Sequence, residues 1–285
     1  MSSQTLLSET SNLHGKELSQ QRFRMLADIA QELAGSIVFP VNFNVTFKIR
    51  DGLRQRMPAG QLAGLIALEP ITCNQLLRTA SKAKHEKVRS LPEAFSVLGM
   101  ETVGKVAGDI ANTQLLRCLH LANFSEWAQQ LWERTLNVAA VAQVIARELT
   151  SIDPFRAQLA ALSKDLGLYY MLYRAVQYEG LRSRPTSLQY LVQNWQDGIL
   201  QSLMAALKFP AGIAQAVCQE PKSRVPMPPR DLGDLLHVSS LVADVVFDQV
   251  AHGETHRSLT ALSPQYLGLH DPIHAYRREL AALAS

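Results

Sequence analysis

The chain has 285 residues, of which 47% are hydrophobic and 19% charged, and its formal net charge is +3. That balance supports a full hydrophobic core, and 15 Gly and 13 Pro are too few for a fibrous or mainly disordered chain. A charge this small does not by itself argue for a nucleic-acid binder.

The first 20 residues are polar and read as a flexible leader. They contain no apolar run of signal-peptide type. From Gln21 helical spacing takes over, with Phe23, Leu26, Ile29, Ala30 and Leu33 predicted on one face. SIVFPVNFN is extended around Pro40 and leads into a helical VTFKIRDGLRQR. AGQLAGLIALEP is a short helix ending before Pro70, and ITCNQLLRTASKA follows it. KAKHEKVRS reads as a charged loop. Ser90, with Glu93 three residues on, is a helix start, and a long helix follows that Gly104 and Gly108 are predicted to loosen.

In the second half SEWAQQLWERTLNVAAVAQVIAREL is one long amphipathic helix. Asp153-Pro154 opens another, predicted to run through ALSKDLGLYYMLYRAV. LQYLVQNWQDGILQSLMAALKF, AGIAQAVCQE, DLLHVSSLVADVVFDQVAHG and HAYRRELAALA are helical, and PKSRVPMPPRD is a proline-rich loop. No convincing β-alternation occurs, so the fold class is all-α.

Cys73, Cys118 and Cys218 lie far apart without CxxC spacing, which argues against a disulfide framework or a zinc knuckle. No apolar run approaches the ~20 residues that span a bilayer. The expectation is a cytoplasmic protein with reduced thiols and no membrane contact. No P-loop, GxGxxG, GxSxG or EF-hand pattern occurs, and no cofactor is expected.

Six stretches, in this order, resemble the HDOD family. They are FPVNFNVTFKIRDGL, LAGLIALEPITCNQLLRTASKA with Glu69-Pro70 and Leu76-Leu77-Arg78, VRSLPEAFSVLGMETVGKV with Ala94 and Leu98-Gly99, LWERTLNVAAVAQVIA, ALSKDLGLYYML, and ALKFPAGIAQAV. HDOD proteins are non-catalytic relatives of HD-domain phosphohydrolases and occur in bacterial signalling proteins. The resemblance covers about residues 36–285. It implies a multi-helical HD-like bundle, residues 123–285, packed against an N-terminal helical bundle, residues 21–122, as one HDOD unit.

Catalytic HD enzymes bring His and Asp side chains from separate helices onto one or two metals, which activate a water toward phosphorus. By the resemblance the first His position is Arg134 here. The His-Asp pair is Lys164-Asp165, a later His falls at Gln196, and a further pair falls at Glu220 and Pro221. Two cations at ligand positions would repel a divalent ion, so no metal is expected, and Asp165 is expected to pair with Arg134 or Lys164. The resemblance thus implies a module without catalytic activity. Its partner would be a signalling protein supplied in trans: a response regulator, a sensor kinase or a cyclic-dinucleotide enzyme.

Two alternatives use other residues. A metal-dependent phosphohydrolase with substituted ligands would need Asp165, Glu220 and distant His side chains to converge. A nucleotide- or nucleic-acid-binding regulator would use the basic stretch Arg78, Lys82, Lys84, Lys87 and Arg89. That stretch has no interleaved aromatics, so base stacking is not signalled and a solvated loop is its simpler explanation. Its helix end also reads Ala80-Ser81-Lys82 where the family carries an Asn-Ser pair. His252 and His256, with Glu254 between, have zinc-like spacing, but Gly253 makes a polar loop the expectation. Trp132 is expected in the core, as are Tyr169, Tyr170 and Tyr173 save one at the surface.

Overall fold

The structure is a computed structural model and describes residues 3–35, 37–118, 125–182, 185–219, 228–247, 266 and 268–285. Among them every regular element is a helix. None of these helices is long and apolar enough to cross a membrane.

Helix α1 (Ser3–Glu32) runs without a break from the polar leader. Its inner face is set by Met25 and Ile29, which are buried, whereas Phe23 is 71% exposed and Ala30 is also exposed. The predicted face holds at Ile29, and at Leu26 and Leu33, which pack against the core, and fails at Phe23 and Ala30. Asp28 and Glu32 hydrogen-bond side chains that follow residue 165, and Phe23 sits two and a half turns from Glu32, on the opposite side.

Helix α2 (Phe43–Arg54) starts at Asn42, whose Oδ1 accepts from Val45 N at 2.9 Å. It closes with Arg56 in the left-handed conformation, where Met57 N donates to Gly52 O at 2.8 Å. Helix α3 (Ala59–Ile66) follows, then α4 (Pro70–Lys84). The cap of α4 is Glu69, whose carboxylate accepts from Thr72 N at 2.6 Å.

Helix α5 (Leu91–Cys118) is capped by Ser90, which accepts from Glu93 N at 3.3 Å. It kinks at Gly99, at φ 72° and ψ 156°, a conformation open only to glycine. The loosening expected at Gly104 and Gly108 is absent. Both stay helical and let α5 lie against Leu53 of α2.

Helix α6 (Ser125–Leu149) is the central rod. Val138 to Ala142, Val144 and Ile145 are fully buried, so this stretch is covered on every side, by α7 (Pro154–Ser163), α12 (Leu232–Val246) and α13 (His270–Ala284). Arg277 of α13 donates to Asn137 Oδ1 at 2.6 Å and pairs with Glu133. The helix predicted to run on from Pro154 breaks at Lys164-Asp165 and restarts as α8 (Leu166–Ala175). Helices α9 (Glu179–Arg182), α10 (Pro185–Ala206) and α11 (Ala211–Val217) complete the order.

The two halves meet along several helices and at Leu207, whose carbonyl accepts from Asn74 and Arg78. Helix α1 packs on α8 and α9, α4 packs on α7, and α13 reaches back to α2 and α3. Their buried side chains form one continuous core from Met25 to Ala284. The boundary expected at 122–123 falls outside the described residues.

Candidate functional site

The break between α7 and α8 presents Asp165. Its backbone, at φ −100° and ψ 10°, leaves the helix for one residue, and its carbonyl accepts from Tyr169 N at 3.2 Å to start α8. The side chain is turned inward, and the residue is only 5% exposed.

Two side chains hold this carboxylate, and a third backs one of them. Lys164 Nζ lies 2.9 Å from Oδ1. On the inner side Thr135 Oγ1 of α6 lies 3.2 Å from Oδ2. Tyr169 OH lies 3.2 Å from the same Thr135 hydroxyl. The same hydroxyl also donates to Leu131 O at 2.8 Å, so its one proton is shared between that carbonyl and Asp165, and Tyr169 is the group that donates to it. Burial pushes the Tyr169 phenol well above its ordinary range, and the nearby Asp165 charge adds to this, so the ring keeps its proton.

Asp165 and Lys164 open on a cavity of about 200 Å³ whose other walls include Gln196 of α10 and Asp234 and His237 of α12. Gly167 makes the narrow wall possible. A Cβ there would stand 3.2 Å from Gln196 O and 3.2 Å from Leu200 Cβ, so a larger residue would push α8 and α10 apart by a few tenths of an ångström. Asp234 is 2% exposed and accepts from Arg230 N at 3.3 Å. Burial pushes the His237 imidazole below its usual range, and Asp234 partly offsets this.

The neighbours Lys164 and Asp165 and the distant Gln196 thus line one cavity. Arg134 does not join them. It is exposed and stands outside the lining, and the residue of α6 that reaches Asp165 is its neighbour Thr135. Arg134 and Thr135 lie about 100° apart on the helix, so only one can face α8. Glu220 and Pro221 lie outside the described residues, though Gln219 reaches the cavity rim. His252, Glu254 and His256 also lie outside them.

A divalent ion does not fit these donors. An ammonium offers protons and no lone pair, and Lys164 sits directly on the one carboxylate that α7 and α8 present. Among the described residues no group of three or more His, Cys, Asp or Glu side chains is gathered to hold a metal.

The basic stretch divides. Arg78, Lys82 and Lys87 line one cavity beside α4. Lys84 is drawn away by Glu93 at 2.9 Å and Glu86 at 3.4 Å, and Arg89 is outside the lining. Trp132 is buried, while Trp127 and Trp195 are exposed. Tyr169, Tyr170 and Tyr173 are all buried, against the expectation of one at the surface, because α1 and α10 cover α8 from two sides.

The chain is thus an HD-like helical bundle in which a carboxylate stands at the break between α7 and α8, paired with lysine. The family profile of the HDOD domain matches residues 40–190. That is more than half of the chain, and the chain belongs to the HDOD domain family. The fold is similar to that of the MmoQ response regulator from Methylococcus capsulatus strain Bath, at a TM-score of 0.57 and 20% identity over 87% of this chain and 98% of that one. It is also similar to a protein of Shewanella amazonensis SB2B named for a suspected metal-dependent phosphohydrolase activity. There the TM-score is 0.51 and the identity 15%, over 93% of this chain and 100% of that one. At such identities the fold is what is shared. No curated protein matches the chain.

Proposed function

We propose that this chain is a non-catalytic regulatory module that acts in the cytoplasm by binding another signalling protein. The observation that carries the proposal is the Lys164–Asp165 ion pair. A side-chain cation neutralises the carboxylate that HD enzymes would turn to a metal, and Gln196 supplies an amide nearby. The site keeps its shape and loses the donors that activate water.

Binding rather than chemistry also suits the surface. Phe43 and Phe47 are stacked at 6.1 Å between ring centroids, and they are 51% and 41% exposed. Arg50 lies over the Phe47 ring at 4.8 Å. Beside them a groove of about 910 Å³ is lined by Arg50, Arg54, Arg56, Met57 and Met100. Aromatic and arginine side chains grouped in this way favour a partner surface with an apolar centre and acidic flanks. The similarity to a protein named as a response regulator supports a partner of the signalling class.

A second reading, a metal-dependent phosphohydrolase with substituted ligands, draws on Asp165, Asp197, Asp234 and His237 bordering the same cavity. Elemental analysis of protein purified without chelator or metal-affinity tag separates the two. The proposal expects less than about a tenth of a metal ion per chain. Stoichiometric Mn, Fe or Ni, with a phosphohydrolase rate abolished by Asp165→Ala, would overturn it.

A further inference from the structure

The cavity beside α4 lies at the joint between the two halves and is distinct from the Asp165 site. Its volume is about 680 Å³, and it runs between the end of α4 and the turn from α10 to α11. Buried Leu77 and Val88, with Pro210 across from them, form an apolar floor.

At its deep end is Asn74, only 2% exposed. The amide nitrogen donates to Leu207 O at 2.9 Å, so the orientation of the amide is fixed. Its Oδ1 is buried and has no hydrogen-bond partner. An acceptor left without a donor costs about 1–3 kcal/mol, and a water or a ligand N–H would satisfy it. Asn74 also borders a second cleft under α5, but the charged side chain there is Asp109 and no cation is present.

The rim is cationic. Arg78 is anchored by Leu207 O at 3.1 Å and Gln75 Oε1 at 3.0 Å. Lys82 and Lys87 are exposed and make no ion pair among the described residues, unlike Lys84. Glu86 also borders the cavity, but its carboxylate is engaged by Lys84. Three cations therefore face an apolar slot that ends in an unsatisfied acceptor. The complement of that arrangement is a flat apolar body with an N–H at one end and an anion at the other.

We propose that this cavity binds a mononucleotide, with an N–H of the base on Asn74 Oδ1, the base on the Leu77, Val88 and Pro210 floor, and the phosphate on Lys82 and Lys87. The cations cluster around one cavity and do not form a stripe, and no row of aromatic side chains accompanies them. A single nucleotide suits this better than a strand does.

The test is calorimetric titration of the full chain at low salt with AMP, GMP, CMP and inorganic phosphate. At least one nucleotide is expected to bind about tenfold or more tightly than phosphate. The Lys82→Ala/Lys87→Ala variant is expected to lose about tenfold in nucleotide affinity with its melting temperature unchanged, since both side chains are exposed. Asn74→Ala is expected to weaken the nucleotide while leaving any phosphate binding as it was. No binding of any nucleotide would overturn the proposal. So would nucleotide binding no tighter than phosphate, or affinity indifferent to the lysine pair. Binding of a polyglutamate peptide in place of nucleotide would also overturn it. None of these outcomes bears on the metal content of the Asp165 site.

Discussion

Lys164 and Asp165 are sequence neighbours that fold onto each other, with Nζ of the first 2.9 Å from Oδ1 of the second. The pair is partly sheltered, with side-chain exposures of 22% and 7%. Lys164→Met keeps the stem and removes the charge. It should cost about 1–3 kcal/mol, because a buried carboxylate is left with only the Thr135 hydroxyl. Adding Asp165→Asn should recover part of the loss. Urea midpoints of the two single variants and the double give the coupling directly. Additive losses would mean that the pair contributes nothing.

Glu69 gives a prediction in pH. Burial raises its pKa, and hydrogen bonds from Thr72 and Gln114 only partly oppose this. An acid with a raised pKa in the folded state binds its proton more tightly there than in the unfolded chain. Stability therefore falls as pH rises from the unfolded value near 4.5 toward the folded one. Glu69→Gln should remove that decline, so the stability difference between variant and wild type should shift in favour of the variant as pH rises through this window. Denaturant midpoints from pH 4 to 8 measure it, and a constant difference would contradict it.

Glu32 ties α1 to the rest of the molecule. It accepts from Tyr170 OH at 2.7 Å, from Arg174 at 3.1 Å and from Arg117 at 3.3 Å. Tyr170→Phe removes one bond of three and should cost about 1 kcal/mol. Glu32→Ala leaves Arg174, whose side chain is 12% exposed, with only the longer contacts to Asp28 at 3.7 Å and Tyr178 OH at 3.5 Å, and should cost about 2 kcal/mol. The larger effect should also appear as faster hydrogen exchange confined to α1.

Gly167→Ala should cost about 1–3 kcal/mol, since the new methyl meets the backbone of Gln196 and the side chain of Leu200. Gly198→Ala is the control on the neighbouring helix, because nothing lies within 4 Å of a Cβ there. It should be neutral or slightly stabilising.

The local signals in the sequence carried well. Ser90 and Asp153 cap the helices that their spacing announced, because a cap is settled within three residues. Lys164, Asp165 and Gln196 were named through the family resemblance, and they line one cavity. What failed were single positions on helix faces. Phe23 was placed inside because periodicity defines a face but not its partner, and the partners of Asp28 and Glu32, Tyr178 and Tyr170, lie in the other half of the chain. Thr135 was missed in favour of Arg134 for the same reason: a one-residue shift along a helix turns the side chain by about 100°. The orphaned Asn74 Oδ1 has no signature at all, since its missing partner could be noticed only once Leu207, 133 residues away, had taken the nitrogen.

The lysine at Asp165 has one further consequence. A metal counter-ion must be acquired after synthesis and can be stripped by chelators, whereas this cation is carried in the chain itself. The folded state should then be indifferent to the supply of metal, and the number of working molecules should follow synthesis and turnover alone. Such a protein can be present at a fixed level while metal-loaded relatives rise and fall with the availability of their ions.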